Sequence, residues 1–186
     1  MSAARLSGAR LSGPDRVAAA AEALGLAVEV RRMPASTGTA GEAAAACGCT
    51  VAQIVQSLVY QVADAGARRL MLVAGDRRLD PAAVERATGE RLERADPKRA
   101  CTETGFAIGG VPPIGHATPV LAPCRPRSGP VLAPCWPRAG PVPVAMDTAL
   151  KDRATVWAAA GAPDAVFAVD PAALRDAIGA RVIALY

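Results

Sequence analysis

The residues best suited to chemistry gather in one run. Thr104 to His116 reads TGFAIGGVPPIGH, with four glycines, two adjacent prolines and the only histidine of the chain. Glycine lets backbone N–H groups approach a ligand closely and opens φ values closed to other residues. Proline fixes φ and stiffens the turn around it. A loop of this kind can aim backbone donors at a developing oxyanion, and Gly109 and Gly110 are the candidate donors. The same residues also read as a strand over 105–110 that ends in a tight turn, with Gly and Pro as punctuation. His116 has two readings as well, a substrate-binding imidazole or a structural ring bonded to backbone. No carboxylate lies near it in sequence to orient it as a general base.

Competing catalytic signatures are missing from the sequence. There is no G-x-S-x-G, no H-E-x-x-H, no phosphate-binding loop and no dinucleotide fingerprint. The chain has 5 cysteines, an odd number that argues against a disulfide framework. Cys47 and Cys49 form a C-x-C, but one histidine and no C-x-x-C give a zinc site little support. Cys47, Cys49 and Cys101 are expected as small buried apolar residues. Neither a metal nor an organic cofactor is expected.

The elements that must position the glycine run are legible from caps and periodicity. Helices are predicted over 14–25, 39–47, 80–89, 96–104 and 170–179, with a short helical turn over 50–55. DPAAVERATG, DPKRACTET and DPAALRDAIG each place Asp at the N-cap and Pro at the first helical position. Strands are predicted over 26–32, 57–62, 69–75, 91–95, 105–110, 142–146, 155–160, 165–169 and 181–185. Strands outnumber the spaces available for βαβ crossovers, so the sheet should be mixed.

At 186 residues, 52% of them hydrophobic, the chain suits one domain. Aromatics are only 3%, so the core must be built from Ala, Val, Leu and Ile. Residues 1–13 read as a disordered tail containing a tandem ARLSG, without the apolar stretch of a secretory signal. No run approaches the ~20 apolar residues of a membrane helix. A cytoplasmic protein is expected. Residues 119–140 are an 11-residue tandem repeat, PVLAPCRPRSG then PVLAPCWPRAG, which reads as an insertion into the 14–186 domain. Its proline spacing excludes helix. It is a tolerated surface duplication or a basic, proline-rich arm for RNA or a partner. The net charge of +4 comes from the tail and this repeat, so the body is close to neutral.

Three segments together resemble the YbaK/EbsC family of aminoacyl-tRNA deacylases, related to the editing domain of prolyl-tRNA synthetase. They are ASTGTAGEAAAACGCTVAQIVQSLVYQ (35–61), the glycine run, and WAAAGAPDAVFAV (157–169). The resemblance spans roughly 14–118 and 141–186. It implies an α/β fold with a mixed, curved, barrel-like sheet surrounded by helices. It implies hydrolysis of the ester joining a wrong amino acid to the tRNA 3′ end, without a metal. It also implies catalytic roles for Gly109 and Gly110, and substrate-binding roles for Thr37, Gln56, Asp76, Pro113, His116 and Gly161. Asp76 and Asp147 match acidic places in the family, yet both read equally well as caps or turn residues. Gln56 stands where the family motif has lysine, which removes a positive charge. Ala159 and Val166 stand where the cysteine-clearing branch has serine and aspartate, which disfavours a cysteinyl substrate. The alternative implied by Gln56 is a non-catalytic module that binds tRNA ends, a nucleotide or a protein.

Overall fold

The structure is a computed structural model and describes residues 11–34, 37–116 and 143–186. The expected insertion at 119–140 and residues 1–10 of the expected tail lie outside the described residues. In chain order the helices are α1 (Gly13–Ala23), α2 (Ala40–Cys47), α3 (Pro81–Thr88), α4 (Pro97–Thr104), α5 (Thr148–Lys151) and α6 (Pro171–Ile178). The strands are β1 (Val30–Arg32), β2 (Ile54–Val62), β3 (Arg68–Ala74), β4 (Leu92–Arg94), β5 (Val144–Asp147), β6 (Val156–Ala162), β7 (Ala165–Val169) and β8 (Arg181–Ile183). A 3-10 turn at Val51–Gln53 feeds β2.

The helices start and stop where local chemistry dictates. Asp80, Asp96 and Asp170 accept hydrogen bonds from the first turns of α3, α4 and α6, each with proline at the helix start. Each of these helices ends on a left-handed glycine, Gly89, Gly105 or Gly179. Thr39 and Glu42 close a capping box on α2. α1 begins at Gly13, capped by Ser12, so the last residues of the expected tail belong to the helix.

The strands form one mixed, half-barrel sheet in the order β1-β7-β6-β2-β3-β5-β8, with β4 pairing farther along the edge of β2 that begins against β6. β2–β3, β6–β7, β1–β7 and β2–β4 are antiparallel; β2–β6, β3–β5 and β5–β8 are parallel. One face packs Leu70, Leu72, Met146 and Phe167 against Val17 of α1, Leu150 of α5 and Leu174 of α6 in the main core. The other face packs Met71, Val73 and Ala145 with Val84 of α3. This alternation along β3 is the period-2 pattern of a strand buried on both sides.

One expected element is corrected. Residues 105–110 are not a strand. Gly105 is the left-handed cap of α4, and the Thr104 hydroxyl accepts from the Phe106 N–H at 3.2 Å, which turns the chain before any pairing begins. α5, begun by the fully buried N-cap Asp147, is additional to the expected elements. The expected strand 26–32 is confined to Val30–Arg32.

Candidate functional site

A cavity of about 770 Å³ opens where β2 and β6 part company. β6 pairs with β2 only at Ile54 and Val55, and β4 pairs with it only from Tyr60 to Val62. Between them, Gln56 to Val59 have β3 on one edge and no strand on the other. The separation has a local cause. β6 carries an irregularity between Ala159 and Ala162, where Gly161 adopts φ +81°, and a bulge bends the strand that carries it. The register also fixes what the open edge presents. Gly75 N–H donates to Ile54 and Val62 N–H donates to Ala67, so even-numbered residues of β2 bond β3. The backbone groups of Ser57 and Val59 therefore point toward the gap.

The walls come from distant parts of the chain. Thr37 and the start of α2 stand on one side, and Trp157, Ala159 and Val166 on another. The β4–α4 junction from Arg94 to Pro97 closes the third, and Ile108, Gly109 and Val111 the fourth. Most of this lining is apolar, as a small-molecule site requires.

The glycine run reaches the cavity because it is tied down from outside. Arg16 of α1 donates to the carbonyls of Gly105 at 3.0 Å, Thr104 at 3.3 Å and Gly115 at 2.8 Å. Its guanidinium also lies 4.2 Å from the centre of the Phe106 ring. One side chain thus staples both ends of the loop to the first helix. No local signal in the sequence marks Arg16, since its partners lie 88–99 residues away.

The two candidate donors separate. Gly109 lines the cavity, is exposed, and takes φ +88°. Its N–H has no partner among the described residues. Gly110 is buried and not part of the lining, and its N–H donates to the Ala107 carbonyl at 3.0 Å. A Cβ at Gly110 would lie 3.4 Å from the Ala162 backbone, an ordinary contact, so packing does not demand glycine there.

The remaining candidates also divide. Thr37 is in the wall, with its hydroxyl and N–H both donating to the Pro163 carbonyl at 2.8 Å. Gln56 is in the wall too, but its Nε2 donates to the carbonyls of Ala74 at 3.3 Å and Arg77 at 3.5 Å, tying β2 to the turn after β3. Asp76 is exposed in that turn and does not line the cavity. Pro113 and His116 lie outside the lining as well. His116 Nε2 donates to the Pro112 carbonyl at 2.6 Å, its ring stands edge-on to Phe106, and burial holds it below the usual imidazole range. Gly161 faces inward against Phe106 and Gly13, where a Cβ would come within 2.5 Å of the ring. Asp147 is a buried cap, accepting from Ala149 N–H at 3.0 Å.

Cys47 and Cys49 offer no nucleophile. Burial, and then the neighbouring Cys49, push the Cys47 thiol up to about 11, and burial raises Cys49 as well. Both therefore stay protonated at neutral pH. They are half-buried, and Cys101 is exposed where a buried residue was expected. Among the described residues no group of His, Cys, Asp and Glu could hold a metal ion, and no helix is long and apolar enough to cross a membrane.

Comparison with known proteins follows the same outline. Residues 35–177 match the family model for the aminoacyl-tRNA editing domain. A crystal structure described as a "putative trans-editing enzyme for prolyl tRNA synthetase" is 38% identical, covering 95% of this chain and 98% of its own, with a TM-score of 0.76. A scaffold protein used for computational epitope grafting is 36% identical over 95% of this chain and 97% of its own, with a TM-score of 0.75. A hypothetical protein is 25% identical over 91% and 98%, with a TM-score of 0.74. No curated protein matches.

Proposed function

The chain belongs to the aminoacyl-tRNA editing-domain family, and from that premise we propose that it acts in trans as a deacylase of mischarged tRNA. The observation that carries this reading is the Gly109 N–H, unpaired and set in the wall of the cavity. In the reaction, water attacks the ester carbonyl carbon and the carbonyl oxygen becomes an oxyanion. The Gly109 N–H donates to that oxyanion as it forms. The bond to the ribose oxygen then breaks, and the proton given up by water ends on that leaving oxygen. No histidine lines the cavity, so the vicinal ribose hydroxyl of the substrate relays the proton. The products are the free amino acid and uncharged tRNA.

Ala159 and Val166 support a small apolar amino acid, since both line the cavity and neither can bond a polar side chain. A panel of tRNAs charged with alanine, serine or cysteine tests both points. Alanyl-tRNA should be hydrolysed fastest by the purified protein. Buffer-level rates on every member would refute the deacylase reading, and preferred clearance of cysteine would refute the assignment of the wall.

One observation favours a second reading. Gln56 is uncharged and its amide is already committed to two carbonyls. A cavity so arranged would bind the charged tRNA end without turning it over. Tight binding with no hydrolysis in the same panel would establish that alternative.

A further inference from the structure

Among the side chains that line the cavity, only those of Arg94 and Asp96 are charged. The Asp96 carboxylate is engaged as the N-cap of α4, accepting from the Arg99 N–H at 2.9 Å. Arg94 is different. It is exposed, and it makes no hydrogen bond or ion pair among the described residues. The other arginines around this end of the sheet are spent. Arg31 pairs with Glu29 and lies over Trp157, and Arg32 pairs with Asp164.

The fold gives Arg94 a defined place. It ends β4, opposite Tyr60, where strand pairing resumes beyond the gap in β2. Tyr60 shares a face of β2 with Gln56, so Arg94 stands on the same face of the sheet as that wall. An unpaired guanidinium beside an apolar cavity recruits an anion, and its planar fork matches the oxygens of phosphate or carboxylate. An amino acid esterified to RNA has no free carboxylate. The anion nearest the reacting ester in such a substrate is a phosphate.

We propose that Arg94 binds the phosphate on the 5′ side of the terminal adenosine of the charged RNA. This rests on the editing reading above. It makes Arg94 the group that reads the cavity's occupant as a nucleotide, leaving the aminoacyl end to the apolar wall.

The experiment compares 5′-AMP with adenosine on the full chain by titration calorimetry, and adds a CCA-ended RNA hairpin at several salt concentrations. The wild type should bind AMP about fivefold more tightly than adenosine, a preference scaled to a solvent-screened ion pair. Arg94→Gln should abolish that preference while adenosine binding and the melting temperature stay unchanged, and Arg94→Lys should keep part of it. For the hairpin, Arg94→Gln should reduce the salt slope by about 0.7, the value for one single-strand phosphate. Adenosine binding with no preference for AMP in the wild type, or a preference that survives Arg94→Gln, overturns the proposal while the editing reading stands. Failure of the wild type to bind adenosine, AMP or the hairpin overturns both. A preference for AMP with an unchanged hairpin slope would assign Arg94 to free nucleotides and overturn its role on RNA.

Discussion

Replacing Gly109 by alanine isolates the donor on which the proposed chemistry depends. At φ +88° an alanine is strained, and a Cβ there meets nothing within 4 Å, so the perturbation is purely one of backbone conformation. A left-handed alanine costs about 1–2 kcal/mol. The exposed loop tip relieves this by rotating the peptide between Ile108 and Gly109, which carries the N–H away from the cavity. Loss of one oxyanion donor costs about 2.7–4 kcal/mol in the transition state, or about a hundred- to a thousandfold in rate. Gly89 supplies the control. It ends α3 at φ +74°, a Cβ there also meets open space, and it does not line the cavity. Gly89→Ala should therefore lower stability by the same amount and leave the rate alone. Single-turnover hydrolysis of alanyl-tRNA, read beside thermal melts, compares the two. Gly89→Ala should melt about 2–8 °C lower than wild type, and Gly109→Ala by no more than that. A Gly109→Ala protein that melts like Gly89→Ala and retains its rate within about twofold, when about a hundredfold is expected, would refute the oxyanion role of this N–H.

Other perturbations test the surrounding structure. Arg16→Ala removes three bonds to carbonyls and a cation–π contact, about 3 kcal/mol after allowing for partial exposure, so melting should fall by about 6–12 °C; an unchanged melt would mean that the staple is not holding the loop. Gln56→Lys should raise the hydrolysis rate at least about tenfold, about 1.4 kcal/mol, because lysine can keep the two carbonyl contacts and adds charge to the wall; a slower enzyme would show that the cavity uses another arrangement. Burial lowers the His116 pKa in the folded protein, so the unfolded chain takes up this proton first as pH falls. Stability should thus be insensitive to pH through this group well above pH ~6.5 and should fall as pH drops below it, until the lowered folded-state value is passed. Melts of wild type and His116→Gln between pH 7.5 and 5.5 should converge at the acid end, and parallel curves would contradict the assignment.

The legible parts of this fold are those specified by neighbours in sequence. The three Asp-Pro helix starts, the capping box at Thr39 and the alternation of β3 depend on residues a few positions apart. Residues 105–110 misled because an apolar run beside glycines has the look of a strand. What turns them is the left-handed Gly105 cap and the Thr104 hydroxyl on the Phe106 N–H, and Arg16 of the first helix then holds the ends of the loop. The cavity was equally invisible, because it exists only where β6 and β4 each fail to cover the same short stretch of β2. Thr37 and Gln56 follow from the resemblance and Gly109 from the glycine run itself, and all three line it. Asp76, Pro113, His116 and Gly161 came from the same resemblance, and the cavity lining does not include them. Arg94 went unremarked, since a charged residue in a short strand has the appearance of ordinary solvated surface.

The open edge of β2 has an evolutionary consequence. The peptide groups of Ser57 and Val59 point toward the gap and Gly109 lines the cavity, and a backbone N–H is common to every residue except proline. Point substitution can rewrite Ala159, Val166 or Gln56 in a single step, but it cannot easily erase a main-chain donor. Such a site can drift from one amino acid to another by exchanging wall residues, with its polar scaffold inherited intact. On the proposed reading, the chemistry is tied to the path of the backbone, and the side chains are left free to choose the substrate.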